Sequence, residues 1–169
     1  MEMIRQEYTV TMFTATRKFE GIFHPMGALF EDINDPEKGD FYLTEVTFSP
    51  LSPGSRFGLI SMPEVVVRKH NVIFFYFRDK SAHEKLRLLT RTERIAVYTE
   101  TFALQGDFHL GAEQKYRDMF DTMRGDFQPM TDVTLFPLLQ TQVPLVREHD
   151  MILINTQNMY FYHPSPGGN

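Results

Sequence analysis

The sequence predicts a mainly β protein built as two small five-stranded barrels in tandem, and three observations carry that expectation. Apolar and polar residues alternate over short runs, as in Thr9-Val10-Thr11-Met12-Phe13 and Phe19-Glu20-Gly21-Ile22-Phe23, which is the period of a half-buried strand. The pattern of the first half recurs in the second. The 169 residues are 42% hydrophobic, with 16 Phe and 7 Tyr, so there is enough apolar side chain to fill a core, while 23% charged residues match the globular norm.

The recurrence is ordered. Val10 to His24 runs against Ile95 to His109 at a spacing of 85, matching Phe13 with Tyr98, Gly21 with Gly106, Phe23 with Phe108 and His24 with His109. One inserted residue later, Phe30-Glu31-Asp32-Ile33 faces Tyr116-Arg117-Asp118-Met119, and Gly39-Asp40-Phe41 faces Gly125-Asp126-Phe127. After a second insertion, Thr44-Glu45-Val46-Thr47 faces Thr131-Asp132-Val133-Thr134, Val65-Val66-Val67 faces Ile152-Leu153-Ile154, and Asn71 faces Asn158. A fixed-period match of this kind is the mark of a repeated structural unit.

Each unit reads as five strands. The first two form a hairpin around Ala15-Thr16-Arg17, and a short helical turn follows at Ala28 to Ile33, with its counterpart at Lys115 to Phe120. A third strand covers Phe41 to Phe48, and Leu51 to Gly58 is a loop because Pro and Gly punctuate it. The apolar runs Glu64 to Val67 and Val72 to Phe77 are the fourth and fifth strands, joined by a tight turn. The first repeat therefore spans residues 1–78 and the second 95–163. Between them, 79–94 is a charged linker in which Ser81 and Glu84 fit a capping box and Leu86 and Leu89 give a short helix an apolar edge. Residues 164–169, rich in Pro and Gly, read as a flexible tail.

Composition also narrows function. A net charge of −5 opposes a general polyanion-binding surface. The absence of Cys removes disulfides, thiolate nucleophiles and zinc-thiolate sites, and the start MEMIRQEYTV has no apolar stretch of signal-peptide type, so a cytoplasmic protein without membrane contact is expected. Charge is segregated: the linker holds five Lys/Arg against three Asp/Glu, whereas 95–169 holds four against nine.

The turn Val67-Arg68-Lys69-His70-Asn71-Val72 resembles the second signature of Sm-like (SH3-type) barrels: an apolar residue, Arg, Gly, two polar residues and an apolar residue between the fourth and fifth strands. Ile154-Asn155-Thr156-Gln157-Asn158-Met159 is its weaker copy, and Gly21 with Leu43-Thr44-Glu45-Val46 echoes the first signature. The chain departs from that pattern by its helical insertion and by lacking Gly at Lys69 and Thr156. It is also similar, twice over nearly its whole length, to a family of uncharacterised bacterial small-domain proteins with Gly-x-x-His ahead of a short helix and Thr-Asp-Val on the next strand. Here these are Gly21 to His24, Gly106 to His109, and Thr131-Asp132-Val133 with its copy Thr44-Glu45-Val46. That resemblance implies a fold and no activity.

From these readings the expected function is a non-catalytic binding or assembly module of a cytoplasmic bacterial protein. The Sm resemblance implies edge-to-edge association through fourth and fifth strands, with a second copy or a protein partner, because such edges present unpaired backbone groups. Val65-Val66-Val67 and Ile152-Leu153-Ile154 are too apolar to sit comfortably in water, and pairing would hide them. The first alternative is a single-stranded RNA-binding protein, with Arg68, Lys69, His70 and Asn155 as candidate ligand-binding residues, since Sm-like rings hold bases between the two signature loops. The second is a small acid–base enzyme using two carboxylates. His24 and His109 each follow an aromatic on the second strand and invite a ligand role, but three or four converging ligands are needed and no HxH or HExxH spacing occurs. They are read, with Gly21 and Gly106, as structural. No GxSxG elbow and no phosphate loop is present, so no catalytic residue, metal or cofactor is expected.

Overall fold

The computed structural model describes residues 6–86, 88–112, 115–121 and 123–165. Five strands fill the first half: β1 (Tyr8–Thr14), β2 (Arg17–Phe23), β3 (Asp40–Pro50), β4 (Ile60–Arg68) and β5 (Val72–Phe77), with a one-turn helix α1 (Leu29–Ile33) between β2 and β3. Five more fill the second: β6 (Arg91–Tyr98), β7 (Phe102–Leu110), β8 (Phe127–Pro137), β9 (Glu148–Asn155) and β10 (Phe161–Pro164). The predicted hairpin, helical turn, loop and fifth strand all lie where alternation and turn chemistry put them. The helical turn expected over Lys115 to Phe120 is a single 3₁₀ turn at Tyr116–Asp118.

The protein is mainly β, as expected, but its strands do not form two separate barrels. All ten join one antiparallel open sheet in the order β10-β6-β7-β8-β9-β5-β1-β2-β3-β4. Within it the first five strands run fifth, first, second, third, fourth, and the last five follow the same order. The halves fuse because β5 pairs with β9, Phe74 opposite Ile154 and Phe75 opposite Leu153. Side chains on a strand alternate between faces, and here each face meets a different core. Phe75 and Leu153 enter the cluster that holds Val10, Phe41 and Leu43, whereas Phe74, Ile152 and Ile154 enter the one that holds Val97, Leu104 and Phe108. Phe127 of the second half also reaches the first core, where its ring stands 5.3 Å from that of Phe41.

β4 begins at Ile60, four residues before the expected Glu64, and two boundaries between segments also differ from the sequence reading. The charged linker is shorter than 79–94, since Arg91–Tyr98 already form β6 and Arg94 reaches the carboxylates of Asp107 and Asp132 at 3.3 Å each. Its helix is a 3₁₀ turn over Lys80–Lys85 with Asp79 at the cap position, so Ser81 is two residues too late to cap it, and no side chain does. Leu86 is buried as expected, but Leu89 stays exposed. The tail also begins later: β10 runs to Pro164, and the Ser165 amide donates to the Arg94 carbonyl at 3.0 Å. Residues 166–169 of that tail lie outside the described residues.

Gly21 and Gly106 occupy the second strand of their halves, each where the ladder shifts register. Two residues of the next strand, Glu45-Val46 and Asp132-Val133, oppose the single glycine, and Glu45 and Asp132 take φ of 51° and 50°. This is a β-bulge, which bends the strand it interrupts. A close approach adds to the bend. A Cβ on Gly21 would stand 3.1 Å from the Thr44 carbonyl oxygen and 3.0 Å from Val46 Cγ2; one on Gly106 would stand 2.9 Å from the Thr131 carbonyl oxygen and 3.0 Å from Val133 Cγ2.

Thermal melts of Gly21→Val and Gly106→Val should each show a loss of about 1–3 kcal/mol, larger for Gly106→Val, because backbone cannot move aside as a side-chain tip does. Unchanged melting in both would exclude the close-approach account. Phe75→Ala should cost about 3–5 kcal/mol, and calorimetry should still show one transition, since that ring belongs to a core both halves build.

Candidate binding groove at the junction of the halves

The loops at one end of the β5–β9 seam enclose an open groove of about 690 Å³. The chain leaving α1, residues 33–39, and the 3₁₀ turn Lys69–Asn71 between β4 and β5 form its first wall. Arg124 to Phe127, entering β8, with Asn155 and Gln157 form the second. The groove is therefore made by both halves and exists only because they are joined.

Asparagine amides hold the walls together. Asn34 makes a two-way bond to the Phe127 backbone, donating to its carbonyl at 3.0 Å and accepting its N–H at 2.9 Å. Asn155 donates to the Lys69 and Val72 carbonyls at 3.2 and 3.0 Å, and Asn158 to those of His70 and Val72 at 2.9 and 2.7 Å. The bonds of Asn155 and Asn158 reach the carbonyls of the tight turn between β4 and β5 and so tie the second half to the first. Gly125 is needed beside them: its φ is +82°, and the Asn34 side chain occupies the space a Cβ would take.

All four candidate ligand-binding residues line this groove, but they do different work. Arg68 Nε bonds Asp40 at 2.9 Å, leaving the rest of an exposed guanidinium open. Lys69 lays its ammonium 5.1 Å from the Phe41 ring centroid and donates to the Asp35 carbonyl at 3.4 Å. Burial lowers its pKa, against the opposing pull of Asp32 and Asp35. Asn155 is 2% exposed with its amide spent on carbonyls, so it serves as a clamp and offers nothing to a ligand. The side chains of His70 and Arg124 make no hydrogen bond or ion pair among the described residues. Lys38, also on the rim, is bound by the buried Asp32.

Sequence reasoning missed Lys38 and Arg124, although a signal was present: each directly precedes the Gly-Asp-Phe triplet of its half. No signal marked Asn34, whose partner lies 93 residues away.

The two histidines stand elsewhere. His24 Nε2 lies 2.7 Å from Thr44 Oγ1 and His109 Nε2 lies 2.8 Å from Thr131 Oγ1, the same tie in each half. His109 Nδ1 faces the Leu89 carbonyl at 2.9 Å, so that nitrogen carries the proton and, in the neutral ring, Nε2 accepts from the threonine hydroxyl. Both bond to a threonine side chain on the next strand, and His109 also to a backbone carbonyl. Among the described residues no three His, Asp or Glu side chains gather closely enough to hold a metal ion.

A smaller cavity of about 190 Å³ lies on the same seam, lined by Tyr76, Arg78, His83 and His149 among others. The His149 ring packs 4.3 Å from that of Tyr76, joining β5 to β9. Burial lowers the His149 pKa below its ordinary 6.5, partly opposed by a bond to the Val146 carbonyl. The native state therefore disfavours the proton that the unfolded chain accepts, so His149 contributes stability above pH 6.5 that is lost as pH falls toward the depressed native value. Melting temperatures should drop between pH 7.5 and 5.5, and His149→Phe, which keeps a ring on Tyr76, should flatten that part of the profile. An unchanged pH dependence in the variant would assign it to other groups.

Compared with known proteins, the chain matches no family model, no curated protein and no solved structure. No helix among the described residues is long and apolar enough to cross a membrane.

Proposed function

We propose that this protein is a non-catalytic assembly module of the cytoplasm, a tandem of two Sm-like units whose copies join strand edge to strand edge. The observation that carries the reading is the β5–β9 pairing, in which the fifth strand of one half meets the fourth strand of the other. That junction leaves β4, a fourth strand, and β10, a fifth strand, at the two ends of the sheet. The free edges are the same two kinds of strand that meet inside the chain. A second copy offers each edge the partner type it lacks, and repetition of one contact builds a ring or a filament.

The repeat within the chain is supported by shared detail: the same strand order, the same bulge at Gly21 and Gly106, and the same His–Thr tie. The edges are also apolar. On β4, Met62 and Val66 are 47% and 56% exposed, and Phe161 of β10 is 57% exposed although it stacks on Tyr98 at 4.3 Å. The RNA reading has less support, because Arg68 is engaged by Asp40 and Asn155 by the carbonyls of Lys69 and Val72.

Light scattering behind size exclusion should show masses above one 19.8 kDa chain, rising with concentration. The double variant Met62→Lys and Val66→Lys should return the chain to a monomer with melting changed by no more than about 1 kcal/mol, since both sites are exposed. A wild-type chain that stays monomeric at 100 μM, on the order of a hundred times a micromolar dissociation constant, would overturn the reading.

A further inference from the structure

We propose that the junction groove binds a small sugar phosphate, such as a nucleoside monophosphate, with its phosphate between the Lys69-His70 turn and Arg124. Four permanent cations line the groove, Lys38, Arg68, Lys69 and Arg124, against two carboxylates, Asp35 and Asp126. Asp32 and Asp40 pair with Lys38 and Arg68, so the charges at the groove balance in a chain that carries −5 overall, and Lys69 and Arg124 are its cations without an ion pair among the described residues.

Several of these cations have donors to spare. Lys69 uses one long bond to a carbonyl, 3.4 Å, and makes no ion pair among the described residues, although its side chain is partly buried. The carboxylates of Asp32, Asp35 and Asp126 pull on it from a distance, yet burial still lowers its pKa, and an anion in direct contact offsets the cost that remains. Arg124 adds a planar fork from the opposite wall, suited to two phosphate oxygens. A phosphomonoester presents close to two negative charges and three acceptor oxygens at pH 7, enough to engage both walls, where one carboxylate would satisfy only one. The carboxylates of Asp35 and Asp126 accept from hydroxyls, which selects a sugar-bearing phosphate over the bare ion. A groove of about 690 Å³ has room for a mononucleotide, and Ile33, Pro36 and Phe127 give it apolar wall.

Because both halves line the groove, an occupant ties them together and raises melting temperature by mass action. This inference is independent of strand-edge assembly and is tested at concentrations where the chain is monomeric. Calorimetric and NMR titrations use inorganic phosphate, ribose 5-phosphate, adenosine monophosphate and a ten-nucleotide RNA. The sugar phosphates should bind at least about tenfold more tightly than inorganic phosphate and shift the amides of residues 69–70 and 124–126. Lys69→Met and Arg124→Gln should each weaken binding by about tenfold, the loss expected for one charge-assisted contact. Arg124 is exposed, so its variant keeps the test valid even if Lys69→Met fails to fold. Absence of saturable binding below 10 mM, on the order of the weakest specific affinities, would overturn the proposal, as would affinity unchanged in the Arg124 variant. RNA binding at least about a hundredfold tighter than either sugar phosphate would also overturn it, in favour of a strand-binding site.

Discussion

The architecture depends on the pairing of β5 with β9, because those two strands supply side chains to both cores at once. Phe75 and Leu153 point one way, and Phe74, Ile152 and Ile154 the other. A strand buried on both faces loses its alternation and reads as a continuous apolar run. That is why Val72-Ile73-Phe74-Phe75-Tyr76-Phe77 and Met151-Ile152-Leu153-Ile154 are the most apolar stretches of the chain. Remove the seam and each core loses a wall, the groove loses one side, and two apolar edges face water.

Much of this fold was legible in the sequence, and the reasons are local. Gly21 and Gly106 stood out as mid-strand glycines, and both lie in bulges against a carbonyl of the next strand. Turn chemistry placed the loop after β3, and the apolar run placed β5 to the residue. What the sequence hid was non-local. Nothing in Arg91-Thr92-Glu93-Arg94 separates a charged linker from a strand, because the partners of Arg94, Asp107 and Asp132, come from elsewhere in the sheet. Whether the two halves stand apart or share a sheet was equally hidden, since that choice rests on contacts between residues nearly half the chain apart.

The groove was half legible. The turn at Arg68, Lys69 and His70 was singled out by its pattern, and the structure puts it in a wall. The opposing wall was not, because Arg124 and Asn34 gain their roles from the seam. Asn155 shows the limit of pattern reasoning most plainly: it lies at the position of a ligand residue, but its amide is committed to backbone carbonyls of the other half.

The distance along the chain between the seam strands has a kinetic side. Hairpins such as β1–β2 and β6–β7 close over short loops, whereas Phe74 and Ile154 are roughly 80 residues apart and must find each other late. Until they do, β5 and β9 are unpaired apolar strands free to meet those of another chain. The pairing that unites the halves in one molecule is then available between molecules, and dilution during refolding favours the intramolecular form.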